Sequence, residues 1–317
     1  MRFLVVGAGS WGTAFTHVLR ERGHDVVLGC HTAEQAQAIA VTGRNPRYLQ
    51  RVDLSGVEAV PLDAVPAKVE VMVVAVPSRA FADVVARLPG DAPVLSLTKG
   101  LDPATGERLS TCVAGRSVAV LSGPNIAEEI AVGLPTAAVI ASEDGYLAGR
   151  LQHAVNSSVF RTYVNPDVVG VELCAAAKNV IALAAGGVDG LDLGDNAKAS
   201  LITRGLAEMA RLGEAAGARS ETFAGLAGMG DLIVTCWSRH GRNRHAGELI
   251  AQGRTPEQAI AEIGQTVEGI TTAPVLQELS GRLQVELPIT DGVCAVLSGQ
   301  SLTDLLSRLM GRQPTEE

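Results

Sequence analysis

The sequence predicts an α/β protein: an N-terminal Rossmann-type doubly wound sheet over residues 1–165, followed by an all-helical unit over residues 166–317. Three observations carry this. Short apolar runs alternate with helical patterns through the first half, the βαβ rhythm of such sheets. Past residue 163 convincing strands give way to Ala-rich helical stretches. The first apolar run also enters a glycine turn, Gly7-x-Gly9-x-x-Gly12, without a break.

Taken in order, Arg2–Val6 reads as a buried strand and residues 13–22 as the amphipathic helix that follows the turn. Gly7 permits a tight turn, Gly9 lets backbone approach a pyrophosphate, and Gly12 lets the helix pack close to the strand. The helix start offers unpaired N–H groups to the phosphates, so the chain opens with a dinucleotide site. Further strands are expected at 25–28, 69–76, 93–97, Val118–Ser122 and Thr136–Ala141. The run at 69–76 is nearly all apolar, as a strand covered on both faces must be. Pro77 and Ser78 follow it at the sheet edge where ligands bind in this class. The segments Thr98-Lys99-Gly100 and Gly123-Pro124-Asn125 follow strand ends in the same way. In the second half, helices are expected at 167–185, 196–216, 243–252, Pro256–Ile263, 271–279, 291–298 and 302–310. Gly186-Gly187 and Gly217 are read as stops, Pro256 as an early-turn residue, and 313–317 as a frayed tail.

Bulk properties exclude several classes. A net charge of −8 argues against a nucleic-acid partner and requires any anionic ligand to meet a local basic pocket. Cys30, Cys112, Cys174, Cys236 and Cys294 are an odd number with no CxxC pair, so neither a disulfide framework nor a zinc cluster is expected, and a reducing cytoplasm is. The six histidines show no metal-ligand spacing, and no metal is expected. A strand begins within two residues of the N-terminus, leaving no room for a signal peptide. No 18-residue apolar stretch lacks a charge, so no membrane span is expected.

Some residues invite chemistry. Lys178 shares its helical face with Cys174, Ile181 and Ala185, all apolar. Desolvation there would lower its pKa and let it exchange a proton near neutrality; a lysine buried only along its stem is the alternative. Lys99 follows a strand end and could reach a ligand or stand in solvent. Asp231, between glycines and Leu232, is either a helix cap or the ion-pair partner of a lysine. Arg239, Arg242 and Arg244, with His240 and Asn243, form the densest positive segment, a phosphate receptor or a solvated turn. Glu268 could accept from cofactor hydroxyls or an amide, or lie on the surface.

These signals occur together in an order that resembles the bacterial NAD(P)-dependent glycerol-3-phosphate dehydrogenases. The resemblance spans nearly the whole chain through GAGSWGTA at 7–14, NPRYL at 45–49, VPS at 76–78, TKG at 98–100, SGPNIAEE at 122–129, GLPTA at 133–137, AKNV at 177–180, LITRGLAEM at 201–209, AGMGDL at 227–232, RNR at 242–244, VEG at 267–269 and LPIT at 287–290. It implies reduction of dihydroxyacetone phosphate to glycerol 3-phosphate, for phospholipid synthesis, by a homodimer. It implies that Lys178 gives and takes the proton, that Asp231 orients it, and that Lys99 touches substrate and nucleotide. Gly123, Asn125 and Gly241 match substrate contacts, and Arg242 and Asn243 the phosphate clamp, with Arg242 also near the cofactor. Ser10, Trp11, His31, Ala127, Glu268 and Thr266 match cofactor contacts beside Gly7, Gly9 and Gly12.

The second strand ends at Cys30-His31 without an acid for a ribose 2′-hydroxyl, so NADP is the expected cofactor with NAD tolerated; His31, when protonated, and Arg44 would receive the 2′-phosphate. Gly241 stands where the family often has Ser, and Arg79 and Gln50-Arg51 are also atypical, which bears on substrate identity. Alternatives are a reductase of another phosphorylated ketone, one of 2-keto acids such as ketopantoate, and a non-catalytic NAD(P) sensor.

Overall fold

The computed structural model describes residues 1–302. Its first half runs β1 (Arg2–Val6), α1 (Ser10–Glu21), β2 (Asp25–Cys30), α2 (Ala33–Thr42), β3 (Glu58–Pro61), β4 (Val71–Val74), α3 (Ser78–Arg87), β5 (Val94–Ser96), β6 (Val118–Ser122), α4 (Ala127–Ile130), β7 (Thr136–Ala141), α5 (Gly145–Val155) and β8 (Phe160–Asn165). These strands form one sheet in the order β3-β2-β1-β4-β5-β6-β7-β8. All neighbours are parallel except β6 and β7. Apart from Arg2, Ser96 and Ser122, the central strands β1, β4, β5 and β6 are apolar, and nearly all their residues are buried because helices cover both faces. Their C-terminal ends deliver Gly7, Pro77, Lys99 and Gly123 to one edge.

The second half is helical: α6 (Val168–Gly190), α7 (Gly194–Ala215), α8 (Ser220–Ala224), a π-helical turn at Leu226–Gly230, α9 (Asp231–Trp237), α10 (Arg242–Ala251), α11 (Pro256–Ile263), α12 (Glu268–Leu283) and α13 (Pro288–Leu297). Helix α6 is its axis. By length and composition α6 could cross a membrane, but 89% of its most apolar window is buried inside this protein, where a core helix belongs.

The structure corrects several expectations. Two edge strands, β3 and β8, were not foreseen; both have half-exposed residues and weak apolar patterns. Helix α6 does not stop at Gly186-Gly187 but continues to Gly190, because these glycines are packing notches. A Cβ on Gly186 would lie 1.7 Å from the Arg244 carbonyl oxygen, and one on Gly247 of α10 would lie 1.9 Å from that of Leu183. The two helices therefore meet backbone to backbone. Helix α12 begins at Glu268 rather than 271 and continues through Pro274. Beyond Leu302 itself, the helix expected at 302–310 and the tail lie outside the described residues.

Candidate active site

Three glycines shape the turn between β1 and α1. Gly7 has φ +109°, and a Cβ there would meet the Ala75 carbonyl oxygen at 2.4 Å. A Cβ on Gly12 would strike the Gly7 carbonyl oxygen at 1.8 Å, whereas one on Gly9 would meet no protein atom within 4 Å. Gly9 thus faces open space directly before the α1 N-terminus. That terminus has no side-chain cap and no acid in its first turn, so its N–H groups stand ready for an anion. A buried polar atom in the first turn of α1, Trp11 Nε1, also lacks a protein partner. Open space, free donors and this orphaned atom fit a dinucleotide.

Across the same sheet edge lies a buried charge cluster. Lys178, on the inner face of α6, is 4% exposed, and Asp231, at the start of α9, is 1% exposed. The Lys178 ammonium donates to Asp231 Oδ1 and, at 2.9 Å, to Thr235 Oγ1 one turn further along α9. Lys99 donates to Asp231 Oδ2 at 2.7 Å and to the Gly123 carbonyl at 3.1 Å. Ser122 Oγ donates to the same Oδ2 at 3.3 Å. The π-helical turn, whose Gly228 leaves no room for a Cβ against the Phe223 backbone, leads directly into Asp231. Both Gly100 (φ +139°) and Gly123 (φ +144°) need backbone torsions that L side chains avoid, and they flank the approach of Lys99.

Burial decides the electrostatics. Desolvation pulls the Lys178 pKa down to about 7; Asp231 opposes this fall, and the positive Lys99 adds to it. Burial alone would raise Asp231, but Lys178 and Lys99 together hold it below the usual carboxylate range. A carboxylate held below the usual range therefore sits between two lysines, and burial brings the pKa of one of them, Lys178, toward neutrality.

Helix α10 brings the next group. Its close seat on α6 fixes Arg242 and Asn243 beside the residues that follow Lys178. Asn243 donates to Asn179 Oδ1 at 2.9 Å and accepts from the Gly269 N–H at 2.8 Å, so both ends of its amide join α6 to α12. Arg242 is exposed and donates to the Thr266 carbonyl at 3.1 Å. Arg244 turns inward to Asp189, the Ser238 carbonyl and Glu248. Gly241 has an evident reason: a Cβ would lie 2.9 Å from the Thr235 carbonyl oxygen and 3.1 Å from that of Ser238.

Glu268 accepts from the Ser78 N–H at 3.1 Å and from Ser78 Oγ at 2.6 Å, tying α12 to the start of α3 beyond β4. His31 is exposed beyond β2, Ala127 is buried at the start of α4, and Thr266 is half-buried. Arg44 donates through Nη1 to the carbonyls of Gln50 and Arg51. Sequence reasoning missed Thr235, Ser122 and Asn179. Each had a signal, since Thr235 lies four residues after Asp231, Ser122 ends a strand, and Asn179 follows Lys178.

A doubly wound sheet with an anion-ready glycine turn, facing a buried lysine of lowered pKa, defines a nicotinamide-dependent oxidoreductase. Sequence profiles of NAD-dependent glycerol-3-phosphate dehydrogenase match residues 3–148 for its N-terminal part and 167–306 for its C-terminal part. The chain is 43% identical to a glycerol-3-phosphate dehydrogenase [NAD(P)+] of Moorella thermoacetica, across 99% of this chain and 96% of that one. It is 42% identical to one of Bacillus cereus, across 98% and 96%. The crystal structure of glycerol-3-phosphate dehydrogenase from Coxiella burnetii superposes with a TM-score of 0.94 at 36% identity, covering 98% of this chain and 99% of that one. A ketopantoate reductase from Ralstonia eutropha, at 17% identity and a TM-score of 0.61, shares the fold. The chain belongs to the NAD-dependent glycerol-3-phosphate dehydrogenase family.

Proposed function

We propose that this chain reduces dihydroxyacetone phosphate to glycerol 3-phosphate, and reverses that reaction, with Lys178 as the proton donor and acceptor. The observation that carries the reading is the Lys178–Asp231–Lys99 cluster at the sheet edge where the glycine turn opens. A nicotinamide cofactor bound at that turn would supply the hydride for the C2 carbonyl carbon. Residues of this chain do the rest. An ammonium has three N–H donors; Lys178 gives one to Asp231 and one to Thr235, which leaves the third for the substrate oxygen. As negative charge grows on that oxygen, Lys178 passes it the proton and Lys99 adds positive potential beside it. Asp231 keeps both lysines in register and keeps Lys178 charged at pH values where burial alone would discharge it.

Arg242, with Asn243 and Gly241 shaping its surroundings, receives the phosphate, and that remote contact orients the carbonyl. Gly123 and Asn125 border the substrate. Gly7, Gly9, Gly12, Ser10, Trp11, His31, Ala127, Thr266 and Glu268 surround the cofactor, with Lys99 and Arg242 reaching it from the substrate side. NADP is the preferred form, since no acid ends β2. Glycerol 3-phosphate so formed feeds phospholipid synthesis in the cytoplasm, and the working unit is a homodimer, each chain of which divides into a cofactor domain, 1–165, and a helical substrate domain, 166–317.

The test is NADPH oxidation by purified protein with dihydroxyacetone phosphate, compared with 2-keto acids and with NADH. Lys178→Met is expected to lower kcat by about a thousandfold or more while still binding NADPH. A variant that retained a tenth of wild-type turnover would overturn the role given to Lys178.

A further inference from the structure

Asn45 lies far along the chain from the glycine turn, yet it is wholly buried beneath that turn. Its Nδ2 donates to the Ala8 carbonyl at 2.9 Å and to Thr13 Oγ1 at 2.8 Å. Its Oδ1 accepts from the backbone N–H groups of Arg47 and Tyr48, each at 3.1 Å, which locks the amide in one orientation. The Ala8 carbonyl has a second donor, Gln35 Nε2 at 2.9 Å. Gln35 sits in the first turn of α2, whose start is capped by Thr32.

One carbonyl inside the turn is therefore held by two side-chain amides from two other segments. The consequence follows from peptide geometry. A trans peptide is planar, and its C=O and N–H point in opposite directions. Pinning the Ala8 carbonyl toward Asn45 and Gln35 aims the Gly9 N–H the other way. Among the described residues that N–H has no backbone acceptor, and the missing Cβ of Gly9 leaves the space beside it open. Without the two amides this peptide could rotate, since glycine tolerates most torsions, and the donor would lose its aim.

We infer that Asn45 and Gln35 are positioning residues that set the Ala8–Gly9 peptide for the cofactor's pyrophosphate. This rests on the dinucleotide reading of the turn given above. An aspartate at position 45 could not replace the amide, because its oxygen would face the Ala8 carbonyl, acceptor against acceptor, in a buried site.

The test is the NADPH dissociation constant, read by nucleotide fluorescence, for wild type, Gln35→Ala, Asn45→Ala and the double variant, with the melting temperature of each. Because either amide alone still holds the carbonyl, each single variant is expected to weaken binding by about 2- to 5-fold, and the double by more than the product of the two. In steady state KM for NADPH rises with the dissociation constant, while kcat and KM for dihydroxyacetone phosphate stay within about twofold of wild type. A merely structural role would lower the melting temperature and the active fraction but leave the affinity of the folded molecules unchanged. That result, or a product-like double variant, overturns the inference. If the double variant does not fold, unchanged NADPH affinity in both single variants overturns it equally. Failure of wild type itself to bind NADPH would instead remove the dinucleotide reading.

Discussion

Lys178 shows how a single side chain acquires a function from its surroundings. Its ammonium is costly to bury, and only the Asp231 carboxylate keeps it charged into the neutral range. The pH dependence follows from that balance. Ketone reduction needs the protonated form, so its kcat/KM is expected to be level below about 7 and to fall about tenfold per unit above it. Alcohol oxidation needs the neutral amine and rises over the same range. The two neighbours move this edge in opposite directions: Asp231→Asn removes the charge that raises the Lys178 pKa and shifts the edge to lower pH. Lys99→Met removes a charge that lowers it and shifts the edge upward. Initial rates of both variants across pH 5 to 9 in roughly half-unit steps measure this, beside the loss in kcat that each change also brings. Shifts in the same direction would sink the electrostatic account. Lys178 was legible as a candidate because its face is apolar. Its partners were less so, since Asp231 could equally have capped α9, and pairing across more than fifty residues leaves no local trace.

At the scale of elements, glycines carried signals of two kinds that look alike in a sequence. The β1–α1 turn was legible because strand, glycine spacing and helix occur together. The Gly186-Gly187 pair was misread as a stop because a helix notch and a helix end share the same residue, and only the partner backbone of α10 distinguishes them. Edge strands β3 and β8 escaped because a half-exposed strand need not show a long apolar run. The glycine turn itself separates folding from binding. Gly12→Ala would drive a methyl group into the Gly7 carbonyl, so α1 must leave β1; a loss of about 3 kcal/mol or more in stability is expected, read by thermal or urea unfolding. Gly9→Ala meets no protein atom, and Gly9 has φ −80°, which alanine accepts. Its stability should stay within about 1 kcal/mol of wild type while NADPH affinity falls at least tenfold, because the methyl group fills the space left for the pyrophosphate. Equal NADPH affinity for wild type and Gly9→Ala would show that the turn does not receive the cofactor.

Over the whole molecule, the sheet and the helices are joined by buried polar contacts as well as by apolar ones. Glu172 of α6 accepts from the Ser110 N–H at 2.8 Å, from Ser110 Oγ at 2.5 Å and from Arg108 at 3.0 Å, while Asp231 ties α9 to Lys99 beyond β5 and to Ser122 at the end of β6, and Glu268 ties α12 to the start of α3. Burial raises the Glu172 pKa, and its hydrogen bonds and Arg108 pull against that rise. Glu172 and Glu268 take these donors from the sheet half, whereas Asp231 joins Lys99 and Ser122 of the sheet half to Lys178 of its own. Such a joint makes the halves cooperative: neither can unfold without stranding buried donors on the other. Thermal unfolding is therefore expected as one transition. Glu172→Ala leaves the Ser110 N–H and the Arg108 guanidinium without their acceptor and should cost about 3 to 5 kcal/mol, lowering the whole transition together. Calorimetry of wild type and variant decides this. A variant in which one transition moves and a second stays in place would show that the halves unfold independently, and that these polar contacts set the geometry of the lysine cluster without coupling the halves' stability.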